Sequence, residues 1–109
     1  MNNNLDNYRK ARRELKDLED SLILAVIEAL GVEFRLVTPY IILEVSKRFH
    51  FMVCLNDVNI SSITIEVWRY AQDEKGVLAG GHNIAVLDLV DPETSVEKIV
   101  EIIKNHEYN

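Results

Sequence analysis

The side chains able to do chemistry in this chain are few and scattered. Its histidines are His50, His82 and His106, and its single cysteine is Cys54. His50 and Cys54 share one face of an extended run, but the rise of a strand sets them about 13 Å apart, too far for joint metal ligation. His82 sits in a loop expected at AGGHN and His106 near the C-terminal end, neither with a ligand partner at a recognisable spacing. Gly80 and Gly81 lack the further spaced glycine and the Lys-Ser/Thr that cradle phosphate, so the pair reads as a bulge or wide turn. Glu66, Asp88 and Asp91 could be assembled into a carboxylate cluster for acid/base or metal-assisted work, but acidic residues on open sheet faces and helix caps are usually solvated. The sequence thus predicts no catalytic residues, no bound metal and no cofactor.

Binding is the chemistry that remains. Trp68 and Tyr70, two residues apart, put their rings on one face of a strand, with Arg35 and His50 beside them. Such a face can stack on unpaired bases or pack against another protein. A basic cluster, Arg9, Lys10, Arg12 and Arg13, lies near the N-terminus. Helical spacing spreads it around two turns, and Glu14 and Asp17 partly neutralise it. The net charge of −6 gives the surface a field that repels phosphate backbones. A protein partner is therefore expected ahead of a nucleic acid.

The elements that must position these side chains can be read from period. With 109 residues, 48% hydrophobic and 28% charged, the chain has the length and composition of one globular domain, residues 1–109. From Leu5 to Leu30, Tyr8, Ala11, Leu15, Leu18, Leu22, Ala25 and Ala29 recur on alternating three- and four-residue steps, the seam of a long helix. Gly31 follows as a helix-ending residue, with Val32 for the contact that accompanies such a cap. After Asp20 the helix is apolar on every side (Ile23, Leu24, Val26, Ile27), which predicts burial all round for that half. The run SLILAVIEAL carries Glu28 and is half the length a bilayer needs, and MNNNLDNYRK has no apolar leader core. The expectation is a cytoplasmic protein with no membrane span.

From Val32 the period becomes two. VEFRLV, YIILEVS, RFHFMVCL and SITIEVWRY read as strands, with Phe34, Leu36, Phe49, Phe51, Val53, Leu55, Ile63, Ile65 and Val67 on an apolar face. Glu33, Arg35, Glu44, His50, Met52, Thr64, Glu66, Trp68 and Tyr70 take the other. Turns are expected at Thr38–Pro39, Ser46–Arg48, Asn56–Asn59 and Asp73–Gly76. Thr94 and Glu97 have capping-box spacing before a second helix with the stripe Val96, Ile99, Val100 and Ile103.

Two resemblances bear on the same stretches. TPYIILEVSKRFHF followed by SITIEVWRYAQDEKGVL resembles the helix pair and first wing strand of a winged-helix DNA-binding domain, which would make the chain a DNA-binding regulator. Against that family's pattern, the segment that would read DNA carries Glu66, Asp73 and Glu74 against Arg69 and Lys75, and its β-branched residues disfavour helix. KRFHFMV resembles the aromatic signature of an RNA-recognition motif. Phe49 and Phe51 match, but Arg48 and His50 replace its small residues, and alternation places both rings with Val53 and Leu55 in a core.

The reading that reconciles these signals is an α+β domain. It has a long N-terminal helix, an antiparallel meander of four to five strands and a C-terminal helix, both helices on one face. The N-terminal helix is longer than strands of five to eight residues can cover, so its first half projects as a dimerisation helix through Tyr8, Ala11, Leu15, Leu18 and Leu22. The expected function is that of a non-catalytic homodimer that recognises another protein. A single-stranded nucleic-acid binder using Arg35, His50, Trp68 and Tyr70 is the alternative.

Overall fold

A computed structural model describes residues 3–37, 40–59 and 62–107 of the chain. Seven elements follow one another: α1 (Asn3–Leu30), β1 (Glu33–Val37), β2 (Tyr40–Glu44), β3 (Phe49–Asn59), β4 (Ser62–Gln72), β5 (Leu78–Asp88) and α2 (Val96–Asn105). The strands form one antiparallel sheet in the order β1-β2-β3-β4-β5, each paired with its neighbour in sequence. The α+β meander is as the alternation predicts. Residues 62–72 are a strand, so the winged-helix resemblance is rejected: Ile63, Ile65 and Val67 keep a period of two throughout, which a helix cannot use to bury one face.

The core lies between this sheet and the helices. Leu43, Phe51, Val53, Ile65 and Val67 point from the sheet into a cluster completed by Ile23 and Val26 of α1 and Ile99, Val100 and Ile103 of α2. Phe49, at the bottom of the same face, lies under the Arg69 guanidinium at 4.6 Å from the ring centroid. Arg69 Nη1 also donates to the carbonyl of His106 (3.1 Å), tying the C-terminal end of α2 to the sheet. Both rings of the RNA-recognition resemblance therefore point toward the helices, away from the open face.

Local chemistry sets the boundaries. Gly31 takes φ 67°, the left-handed conformation glycine adopts without strain, and its N–H donates to Ile27 O at 2.9 Å, ending α1 as the sequence predicts. Ser46 Oγ accepts from Phe49 N (3.1 Å) in the β2–β3 turn. Asp73 Oδ1 accepts from Lys75 N and Val77 N in the β4–β5 turn. Three local expectations are corrected. Asn56–Asn59 is not a turn but the end of β3, where the pairing with β4 slips between Asn56 and Asn59. The N-cap of α2 is Ser95, whose side chain accepts from Lys98 N, while Thr94 Oγ1 instead donates to Asp88 O. AGGHN is no loop: it lies inside β5. The expected Thr38–Pro39 turn falls outside the described residues.

Burial divides each apolar set more finely than period can. The second half of α1 is not buried all round: Leu24 is exposed, while Ile23 and Val26 are buried. On β1, Phe34 and Leu36 share the helix-side face, yet are 47% and 68% exposed, because the helices do not extend over this edge strand. The strands are also longer than expected, β3, β4 and β5 having 11 residues each. Even so, Asn4–Glu14 are exposed at every position, and α1 contributes to a longest dimension of 54 Å. One long-range bond fixes where the helix leaves the sheet. Leu55 N donates to Glu19 Oε2 at 2.9 Å. Continuing the Leu43↔Phe51 register sets Tyr40 beside Cys54, so Leu55 lies past the start of β2, and the α1 carboxylate takes the N–H that β2 does not reach.

Candidate functional site

Register assembles the site on the face of the sheet that carries no helix. Across β3 and β4, His50 stands opposite Tyr70, Met52 opposite Trp68 and Cys54 opposite Glu66. On the far side of β4, Trp68 pairs with Asn83 of β5. Trp68, Tyr70, Glu66, Met52 and Cys54, with Tyr40 from β2, line an open concavity of about 330 Å³.

Glu66 organises it. Its Oε1 accepts from Trp68 Nε1 (3.2 Å) and from Asn83 Nδ2 (2.8 Å), and its Oε2 from Asn56 Nδ2. Three neutral donors thus hold the carboxylate and fix the indole without supplying a compensating positive charge.

Two irregularities in β5 shape the rim. Arg69 pairs with His82 but Ala71 with Ala79, so Gly80 and Gly81 together oppose Tyr70. This is the bulge expected from the glycine pair, and Gly80 provides the positive φ (65°) that such a bulge uses. Gly81 serves differently. A Cβ there would stand 2.2 Å from Tyr70 Cε1, so the ring lies directly across the glycine. A second slip, between Val67 and Trp68, leaves Ile84 unpaired and turns Asn83 toward Glu66.

The four open-face candidates divide. Trp68 and Tyr70 line the concavity; Arg35 and His50 do not. Arg35 reaches from β1 over β2 and β3 to Gln72 of β4 (3.3 Å), and its Nε lies 3.8 Å from Glu44 Oε1. His50, placed on the wet face by alternation, is 3% exposed, with Ile42 and Met52 also buried around it. A sheet face without a helix can still hide residues when long neighbours such as Arg35, Trp68 and Tyr70 lie over them. Arg35 Nε and His50 Nδ1 are buried without hydrogen-bond partners.

Sequence reasoning passed over Tyr40 and gave Glu66 no binding role. The spacing of Glu66 two residues before Trp68, on the same face of a strand, is the signal that pointed to it. The carboxylates weighed with it do not gather: Asp88 Oδ1 accepts from Val90 N and Asp91 Oδ1 from Glu93 N, each in its own turn. His82 Nδ1 and His106 Nδ1 contact the carbonyls of Gly80 and Ile102. Among the described residues no group of three His, Cys, Asp or Glu could hold a metal ion.

Burial, then the negative charges of Glu66 and Glu19, push the Cys54 thiol from 9.0 up to about 11. Cys54 is therefore expected to alkylate slowly. With iodoacetamide at pH 8, its thiolate population is roughly a hundredfold below that of an unperturbed thiol, and denaturant restores the ordinary rate. Fast alkylation of the native protein would contradict this. The sign for stability follows from the same shift. The unfolded chain loses this proton first, so stability falls as pH rises from about 9 toward 11. Burial likewise raises the Tyr70 phenol, followed by smaller contributions from Cys54 and Tyr40.

The seam of α1 also divides. Tyr8 and Leu18 are 61% and 45% exposed. Ala11 is exposed, and Leu15 and Leu22 are half-buried. Leu22 packs against the core cluster, and Leu15 shares a small pocket with Leu55. In comparisons with known proteins, no family model matches the chain, and no curated protein or solved structure matches it.

Proposed function

We propose that this protein is a non-catalytic interaction domain that pairs with a second copy of itself through α1 and recognises another protein on the helix-free face of its sheet. The observation that carries this reading is large apolar side chain left wholly or partly uncovered in two separate places. Leu5, Tyr8 and Leu18 stand exposed along the projecting helix, and around the concavity an exposed Tyr40 joins the half-buried rings of Trp68 and Tyr70. Exposed apolar surface gathered in this way marks interaction sites, whereas isolated exposed residues do not.

A protein partner fits the face better than a nucleic acid. The concavity contains the Glu66 carboxylate and no basic residue, and Arg35 is engaged by Gln72 and Glu44. For α1, the occupant is a second copy. Arg9, Lys10, Arg12 and Arg13 form a basic segment directly followed by a mainly acidic one, with Glu14, Asp17 and Asp20 around the single base Lys16. Two such helices side by side and antiparallel set opposite charges together around Ala11, Leu15 and Leu18, whereas a parallel pair sets like against like. No helix among the described residues is long and apolar enough to cross a membrane.

Light scattering tests the pairing. The expected result is a dimer mass at tens of micromolar that Leu18→Glu reduces to a monomer mass while the far-ultraviolet circular dichroism is kept. Leu18 is chosen because it is more exposed than Leu15 and touches less of its own domain. A monomer mass for the unaltered chain would reject self-association.

A further inference from the structure

We propose that the concavity between Tyr40, Trp68 and Tyr70 is a receptor for the guanidinium group of an arginine side chain on the partner protein. The inference rests on the reading that this face recognises another protein, and deepens it by naming the chemistry recognised.

Three features converge on a planar cation. The first is the wall. Tyr40, Trp68 and Tyr70 come from two strands on either side of β3, around a floor that includes Met52 and Cys54. Ring faces attract cations through their quadrupole, and guanidinium, being flat and weakly hydrated, stacks on them better than ammonium does.

The second feature is charge. Glu66 is the acidic residue of this lining, and its hydrogen-bond partners Asn56, Trp68 and Asn83 are neutral. A carboxylate accepts about four hydrogen bonds, so with three made it retains room for one more donor and its full negative charge. The third is pre-organisation. Trp68 is pinned through its Nε1 to Glu66, and Tyr70 is seated on Gly81, so both walls are set before a ligand arrives. The protein's net charge of −6 favours approach of a basic partner from a distance.

A neutral apolar ligand would use the rings but leave Glu66 unpaired, and a nucleic acid would bring phosphate to the carboxylate. Arginine uses both parts of the site. Its guanidinium spreads over an aromatic face while an N–H reaches Glu66.

Trp68 is the only tryptophan of the chain, so its fluorescence reports on this site alone. The experiment titrates the full chain with the acetylated, amidated peptide Gly-Arg-Gly and with the same peptide carrying citrulline, arginine's neutral isostere. The arginine peptide is expected to give a saturable change, with the citrulline peptide at least about fivefold weaker, as a partly exposed cation–π contact with a carboxylate predicts. Raising sodium chloride from about 50 to 300 mM weakens the arginine response only.

Glu66→Gln is expected to reduce the preference for arginine to less than about twofold, since it removes the charge and keeps an acceptor for Asn83 and Trp68. If that variant does not fold, Tyr40→Ala, at a half-exposed rim position, is expected to weaken arginine binding by about threefold or more. Equal, saturable responses to both peptides would overturn the proposal while leaving the protein-recognition reading standing. No saturable response to either would overturn both.

Discussion

Phe51→Ala is expected to lower stability by about 3–5 kcal/mol, the usual cost of emptying a fully buried phenylalanine site. Phe51 has no solvent exposure and stands near the start of β3, where the sheet meets α1 and α2. Set against total stabilities of roughly 5–15 kcal/mol for domains of this kind, such a loss takes a large part of what holds the chain folded. The melting temperature should fall by more than about 10 °C, at ~4 °C or more per kcal/mol. Phe34→Ala is the comparison that gives the result its meaning. Both rings lie on the same side of the sheet, but Phe34 is 47% exposed on the edge strand, and its loss should cost under about 1 kcal/mol. Chemical denaturation of the two variants checks this. Equal losses would mean that another element covers β1.

The second large effect belongs to Gly81. Replacing it with alanine adds one methyl group, and on an exposed strand that is ordinarily a small change. Here the new Cβ would meet Tyr70 Cε1 at 2.2 Å and Cδ1 at 2.6 Å, so the ring must leave its seat. The expected cost is about 1–3 kcal/mol, the range for forcing packed side chains out of place. The double-mutant cycle with Tyr70→Ala isolates the cause. Once the ring is gone, Gly81→Ala should cost almost nothing, giving a coupling of about 1 kcal/mol or more. Additive losses would place the cost in the backbone of the bulge instead.

The contrast between these sites explains which parts of the molecule were legible in the sequence. Alternation at Ile63, Ile65 and Val67 favoured β4 over a winged-helix reading that only the structure removed, and three- and four-residue spacing with Gly31 assigned α1 and its end. Period specifies which side of an element a residue occupies. It does not specify what lies over that side. Hence Phe34 and Phe51 looked equivalent, Leu24 looked buried, and His50 looked exposed until the edges of the helix layer and the reach of the Arg35 side chain were known. The site followed the same division. Trp68 and Tyr70 were visible as a pair on one face, but Tyr40 joins them only through the pairing of β2 with β3, and Asn83 only through the slip beside Ile84. The seat of Tyr70 on Gly81 depends on the register of β4 with β5, which a single strand's sequence does not encode.

The shared closure of the core by α1 and α2 has a consequence for synthesis. Each strand pairs with its chain neighbour, so as the chain leaves the ribosome the meander can form rung by rung and is complete at Asp88. Its helix-side face is not. Ile99, Val100 and Ile103 arrive afterwards, and until they emerge Val53, Ile65 and Val67 have only α1 against them. A newborn chain therefore carries a sticky, half-roofed face until α2 docks, and any delay in that docking lengthens a window for chaperone capture.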